Sequence, residues 1–265
     1  MFMTHFRQYG SRVFGLGIIA SGVVALLLGD FLPGQVAPKG LPARVAFAYA
    51  AGVVMVGAGV GLEIRRTAQM ATVALIIFFA LVILANLDVL TRHLSDYGAY
   101  SGLAEQLALA IAALMIFAQK AELAPAPRKR LIRSCQQVFG VCVLLFGGAH
   151  FVYLNLTTPL VPAWLPPSRA FWAYATGAAQ IVAAVAILTR VHERLAATLL
   201  TVMYAAFTPL VHLPMLVAAP TNHFVWSENA LNLALTGAAW VVADSCVLAS
   251  RRTAVLGNRD QSALG

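Results

Sequence analysis

The stretch Gln136–Leu154, QQVFGVCVLLFGGAHFVYL, decides what kind of chain this is. It contains no Asp, Glu, Lys or Arg, and at about 1.5 Å per residue a helix of this length crosses the ~30 Å hydrocarbon core of a bilayer. The rest of the chain has the same character. Of 265 residues, 60% are hydrophobic and only 11% are charged, with a mean hydropathy of +0.81, whereas soluble domains carry roughly a quarter charged residues. Disorder, nucleic-acid-binding tails and most soluble enzymes are excluded on that ground, and lipid is the solvent that accepts the apolar surface.

Working outward, eight such stretches are legible: Val13–Leu28, Val45–Ile64, Ala68–Leu87, Gly102–Gln119, Gln136–Leu154, Ala170–Thr189, Leu195–Leu213 and Asn229–Ala249. The first, preceded by Arg7 and Arg12, has the look of a signal peptide. No small-x-small cleavage pattern follows it, however, and an internal repeat pairs it with the fifth stretch. At an offset of 125, Phe14-Gly15 matches Phe139-Gly140, Gly22 matches Gly147 and Ala48-Tyr49-Ala50-x-Gly52 matches Ala173-Tyr174-Ala175-x-Gly177. Pro42, Arg44 and Arg65 match Pro167, Arg169 and Arg190. The expected architecture is therefore all-α and polytopic, with eight transmembrane helices in two four-helix repeats. An even number of spans per repeat gives both the same orientation in the membrane.

Charge sets the expected topology. Of 18 Lys and Arg, only Lys39, Arg44, Arg92 and Arg169 fall on one side of this arrangement; the others, including Arg65, Arg66, Lys120 and Arg128, fall on the opposite side. Basic residues concentrate in cytoplasmic loops, so both termini are expected in the cytoplasm and the formal charge of +8 lies against anionic lipid. No nucleic-acid partner is implied; the bilayer is the partner. The expected units are residues 1–120 and 135–250, joined by a basic cytoplasmic linker at 121–134 and followed by a tail at 251–265. Cys135, Cys142 and Cys246 form no CxxC pair and read as apolar packing residues.

Ionisable groups within spans are the informative ones, because burying them unpaired is costly. Most lie in the half expected to face outward, which holds four of the six histidines: His93, His150, His212 and His223. His150 lies in the fifth span with Tyr153 on the same face. His212 lies between Pro209 and Pro214, where a proline can kink a helix and free a carbonyl. Glu228 follows Ser227 at the start of the eighth span with Asn232 one turn below, and the loop before it carries His223 and Trp226. One reading is a ligand pocket of His150, Tyr153, His212, His223, Trp226, Glu228 and Asn232 that receives a polar head group. The other is packed histidines, a carboxylate favoured at a helix N-terminus and an aromatic interfacial belt. Glu105, near the start of the fourth span, reads by the same dipole argument. Two histidines at similar depth raise bis-histidine haem, but no third soft ligand lies nearby; no metal site and no catalytic residue is assigned.

The segment from His150-Phe151 through Val161-Pro162-Ala163-Trp164-Leu165-Pro166-Pro167 into Ala173-Tyr174-Ala175-Thr176-Gly177, with Val211-His212-Leu213-Pro214, resembles the DoxX-like family of small bacterial membrane proteins, here in tandem. The first half lacks the histidine and tryptophan of the second. The resemblance implies a multi-pass inner-membrane protein associated with redox chemistry. It further implies an accessory subunit, rather than a stand-alone enzyme, that binds a quinone-like or lipidic molecule near the outer face in support of a redox-protein partner, with homo-oligomers also in keeping. A small-molecule or lipid transporter and a ligand-free assembly protein are the competing readings.

Overall fold

A computed structural model describes residues 9–35 and 42–262, with side chains to residue 246. Arg7 and Lys39, and the side chains of Arg251, Arg252 and Arg259, lie outside the described residues. All regular structure among those residues is helical: α1 (Tyr9–Leu28), α2 (Arg44–Glu63), α3 (Ala68–Arg92), α4 (Tyr97–Lys120), α5 (Pro125–Val152), α6 (Leu154–Thr157), α7 (Arg169–Thr189), α8 (Glu193–Phe207), α9 (Leu213–Ala218) and α10 (His223–Ser262).

Seven of these runs are long and apolar enough to cross a membrane: α1 to α5, α7 and the stretch Glu193–Ala218 that joins α8 to α9. Large apolar side chains such as Met70 (76% exposed) and Val182 (68% exposed) point away from the bundle, an arrangement that suits lipid and not water. The eighth expected span lies within α10, which is not among the seven. Its side chains are described only to residue 246, short of the expected end of the span at Ala249, and Asn232, Thr236 and Ser245 are buried in the bundle. A helix enclosed by other helices can carry polar side chains that a lipid-facing one cannot.

Two local features depart from the sequence expectation. The linker is helical from Pro125 onward, because a proline in the first turn surrenders only an amide that would have no helical partner. Only 121–124 separates α4 from α5. At Thr208–His212 the chain widens into a π-turn, closed by the Leu213 amide on the Thr208 carbonyl. Pro209 has no N–H to offer, and the extra residue in the turn accommodates the missing bond.

Glycines set the closest approaches. A Cβ on Gly22 would lie 2.7 Å from the Gly52 carbonyl oxygen and 2.8 Å from the Val56 amide; one on Gly147 would lie 2.8 Å from the Gly177 carbonyl oxygen and 3.0 Å from the Ile181 amide. Thus α1 meets α2, and α5 meets α7, backbone to backbone. The first helix of each half also packs on the last helix of the other, α1 on α10 and α5 on α4, while α4 and α10 touch at the centre. At the end carrying Arg65, Arg66, Lys120 and Arg128, the basic end, Arg133 bonds the Ile187 and Leu188 carbonyls and pairs with Glu193 at 3.1 Å. The opposite end, carrying His150, His212 and His223, is called the histidine end below.

Candidate functional site

His150 is held by α7. Its Nδ1 lies 3.2 Å from the Ala173 carbonyl and 3.3 Å from Thr176 Oγ1, and its Nε2 lies 3.0 Å from Gln180 Nε2. The Gln180 oxygen accepts from the Tyr204 hydroxyl at 3.2 Å, which orients the amide so that its NH2 faces the ring. His150 Nε2 therefore accepts, and Nδ1 carries the hydrogen toward Ala173. Asn232 extends the chain onto α10, donating to the Tyr204 carbonyl at 3.2 Å and Thr208 Oγ1 at 3.0 Å. Gly177 makes room for this arrangement, since a Cβ there would meet His150 Cβ at 2.6 Å. His150, Gln180, Tyr204 and Asn232 thus form one hydrogen-bonded chain across α5, α7, α8 and α10.

Tyr153 turns the other way. Its hydroxyl donates to Asp96 at 2.9 Å and accepts the Gly98 amide at 2.8 Å, tying the end of α5 to the start of α4. The Gly98 amide and then the Tyr153 hydroxyl hold the Asp96 carboxyl below the ordinary aspartate range. The same hydrogen bond to Asp96 pushes the Tyr153 phenol up.

His212 sits in the π-turn, where its carbonyl accepts from Asn229 at 3.0 Å and its buried Nδ1 has no hydrogen-bond partner. His223 Nε2 is likewise buried and unbonded, within electrostatic reach of Asp30. Trp226 is 41% exposed and pins its own loop through Nε1 to the Pro220 carbonyl at 2.7 Å. Glu228 makes no hydrogen bond to either histidine among the described residues; the group within its electrostatic reach is Glu105 on α4. The seven sequence-predicted residues therefore divide. His150 and Asn232 join one chain, Tyr153 belongs to the α4–α5 joint, and His212 lies in the π-turn; His223 and Trp226, expected in the loop before the last span, instead form the first turn of α10, followed by Glu228.

Gln180 and Tyr204 were missed by the sequence reading. A glutamine in the middle of Ala170–Thr189 was the available signal, because a mid-span amide must find a partner. Gln106 sends the same signal within the run Ala104–Leu114. At the histidine end of the first half, the segment after α1 folds over the helices: Asp30 pairs with Arg44 at 2.6 Å, the Arg44 guanidinium lies 5.3 Å from the Phe31 ring centroid, and the Gly34 carbonyl accepts from Asn86 at 3.0 Å. Partial burial raises the Asp30 carboxyl, but the Phe31 amide and Arg44 outweigh it and leave the group below its ordinary value.

A larger open volume than the void beside Gln106 lies elsewhere. A groove of about 610 Å³ runs between α7 and α8 from the turn at His192 to Ala179 and Met203, walled by residues such as Val182, Ala183, Ala186, Leu195 and Leu199.

A family model described as a domain of unknown function (DUF8561) matches residues 139–243. The match spans most of α5 through the described part of α10, and so includes the whole His150 chain. No curated protein and no solved structure matches this sequence.

Proposed function

We propose that the chain is a DoxX-like bacterial inner-membrane protein of eight spans, with α10 as the eighth, arranged as two parallel four-helix units with both termini in the cytoplasm. It holds one lipidic molecule, a quinone tail or an acyl chain, in the groove between α7 and α8. The repeat is supported by recurrence at a 125-residue offset of the glycine contacts that join α1 to α2 and α5 to α7. The orientation is supported by the crowding of Lys and Arg at one end.

The groove carries the ligand reading. Its volume of about 610 Å³ falls in the range of small-molecule sites, and Val182, Val185, Leu195 and Leu199 along it are all about half exposed or more. A molecule dissolved in the membrane reaches such a groove sideways, without crossing water. Its wall offers apolar contact along its length, and hydrophobic burial supplies the affinity. This location differs from the histidine-end pocket expected from the sequence, because His150 spends both ring nitrogens inside the protein. Accessory service to a redox protein is the part of the proposal that the DoxX-like resemblance contributes, and co-purification addresses it.

The test is to purify the protein with minimal detergent and identify bound lipids and quinones by native mass spectrometry. Ala183→Trp and Ala186→Trp, which fill the groove, are expected to strip the bound molecule, while Val73→Trp on the lipid face of α3 leaves it bound. Equal retention in all three variants would overturn the reading.

A further inference from the structure

The centre of the histidine end contains hydrogen-bond acceptors that nothing in the protein satisfies. Gln35 and Gln106 are buried, at 7% and 2% exposure, and the side-chain oxygen of each has no hydrogen-bond partner. Both line a void of about 20 Å³ closed by Ser21, Met55, Phe79 and Leu231. A volume of that order accepts one water-sized guest. Gly34 brings the backbone in at a φ of 79°, and a Cβ there would lie 2.8 Å from Gln106 Nε2 and 3.3 Å from Glu105 Oε2. The Glu105 carboxylate therefore stands by the Gly34 turn, whose neighbours Pro33 and Gln35 line the void.

Glu105 and Glu228 are each partly buried and lie within electrostatic reach of each other. Neither makes a hydrogen bond or ion pair among the described residues. The nearby charges are committed: Arg44 to Asp30 at 2.6 Å, Arg92 to Asp88 at 2.9 Å, His150 to α7, and His223 lies by Asp30. From α5, the Tyr153 hydroxyl is spent on Asp96. No cationic side chain among the described residues contacts either glutamate. Two partly buried carboxylates within electrostatic reach of each other and without a cation repel, and the unsatisfied side-chain oxygens of Gln35 and Gln106 add to the cost.

A guest that complements this set is positive, accepts no hydrogen bonds and is no larger than water. All the donors are hard oxygens, which select a hard ion, and no group of three His, Cys, Asp or Glu able to hold a metal ion exists among the described residues. That argues for a single positive charge and against a multivalent metal. We propose that a sodium-sized monovalent cation binds between the Gln35 and Gln106 side-chain oxygens and the Glu105 carboxylate, with Glu228 as second counter-charge. The ion joins the Gly34 turn, α4 and α10, and so links the two halves. This site is independent of the groove between α7 and α8.

The test uses the full chain in detergent at fixed pH and ionic strength, with choline chloride replaced stepwise by sodium, lithium or potassium chloride. A ligand that binds only the folded state raises the unfolding midpoint with concentration by mass action. The wild-type midpoint is expected to rise and saturate with sodium or lithium. Glu105→Gln is expected to raise the half-effective concentration at least about tenfold by removing a formal charge from the ligand set. Gln35→Leu should weaken it less, and His150→Gln should leave it unchanged. Direct binding of radioactive sodium to wild type and to Gln35→Leu decides the matter if Glu105→Gln does not fold. No difference between sodium and choline would overturn the proposal in favour of a trapped water. Stabilisation that follows pH alone would overturn it in favour of a proton shared by the glutamates. A sodium response kept in both Glu105→Gln and Gln35→Leu would overturn it as well.

Discussion

The two halves treat the same place in opposite ways. In the second half, His150, Gln180, Tyr204 and Asn232 form a chain in which each side chain is bonded to the next helix. The positions 125 residues earlier than the first three are Ala25, Met55 and Phe79, all apolar, and Met55 and Phe79 line the void beside Gln106. Where one half has a closed polar chain, the other has an alanine, a space and a glutamine brought in from the segment after α1. Gln35 Nε2 reaches Met55 Sδ at 3.5 Å, a weak substitute for the Gln180–Tyr204 bond. The same backbone frame thus supports a satisfied site, which stiffens, and an unsatisfied one, which invites a guest. Structural and binding roles are separated between the halves by a handful of side chains.

The sharpest way to break that parallel is at the glycines that create the shared frame. Gly147→Val drives a side chain into the Gly177 carbonyl, and Gly22→Val does the same at Gly52. Each is expected to cost about 3 kcal/mol or more, because neither backbone can withdraw from a packed helix pair. Yield of folded protein and unfolding midpoint in detergent provide the measure. Similar losses at both positions uphold the equivalence of the two frames, and a silent Gly22→Val would end it.

How far these features could be read from the sequence varies with the physics behind them. Helix positions were legible because lipid demands long apolar runs and each run announces itself. The eighth stretch, Asn229–Ala249, falls within α10, where Asn232 and Thr236 turn into the bundle rather than toward lipid. The helical start at Pro125 was obscured by two prolines and several basic residues that resemble a tether. His150 and Glu228 stood out as ionisable groups in apolar surroundings, but their partners did not, since side chains 30 or more residues apart meet only through the packing. The Gln180 and Gln106 amides carry no charge and were passed over, although a mid-span amide faces the same need for a partner.

A smaller effect separates the satisfied chain from the unsatisfied void. His150→Ala removes the partner of the Gln180 amide and opens a cavity, with an expected loss of about 2 kcal/mol. Asn232→Leu leaves the Thr208 hydroxyl and the Tyr204 carbonyl without their donor and should cost about 1–3 kcal/mol. Gln106→Leu, measured in choline without sodium, is expected to change stability by less than about 0.5 kcal/mol, because it removes an acceptor that had no partner. Equal losses for Asn232→Leu and Gln106→Leu in that medium would show that the halves do not differ in this way.

The smallest effect concerns the joint between the halves, where Tyr153 and the Gly98 amide both bond Asp96. These bonds favour the ionised carboxylate, so the folded protein releases the Asp96 proton at a lower pH than the unfolded chain does. Stability from this group is complete above the ordinary aspartate value of about 4 and is lost as pH falls through the lower folded value. Asp96 is exposed at the surface, where solvent screens the interaction, so the change is modest. Asp96→Asn is expected to flatten the acid side of the stability curve by lowering stability modestly near neutrality while leaving it almost unchanged near pH 3, and unfolding midpoints between about pH 3 and 7 test this. Tyr153→Phe removes one of the two bonds and should flatten the curve in part. An unchanged acid limb in both variants would mean that the joint between α4 and α5 rests on the Tyr97 bond to the Leu145 carbonyl at 2.7 Å, which carries no titrating group in that range.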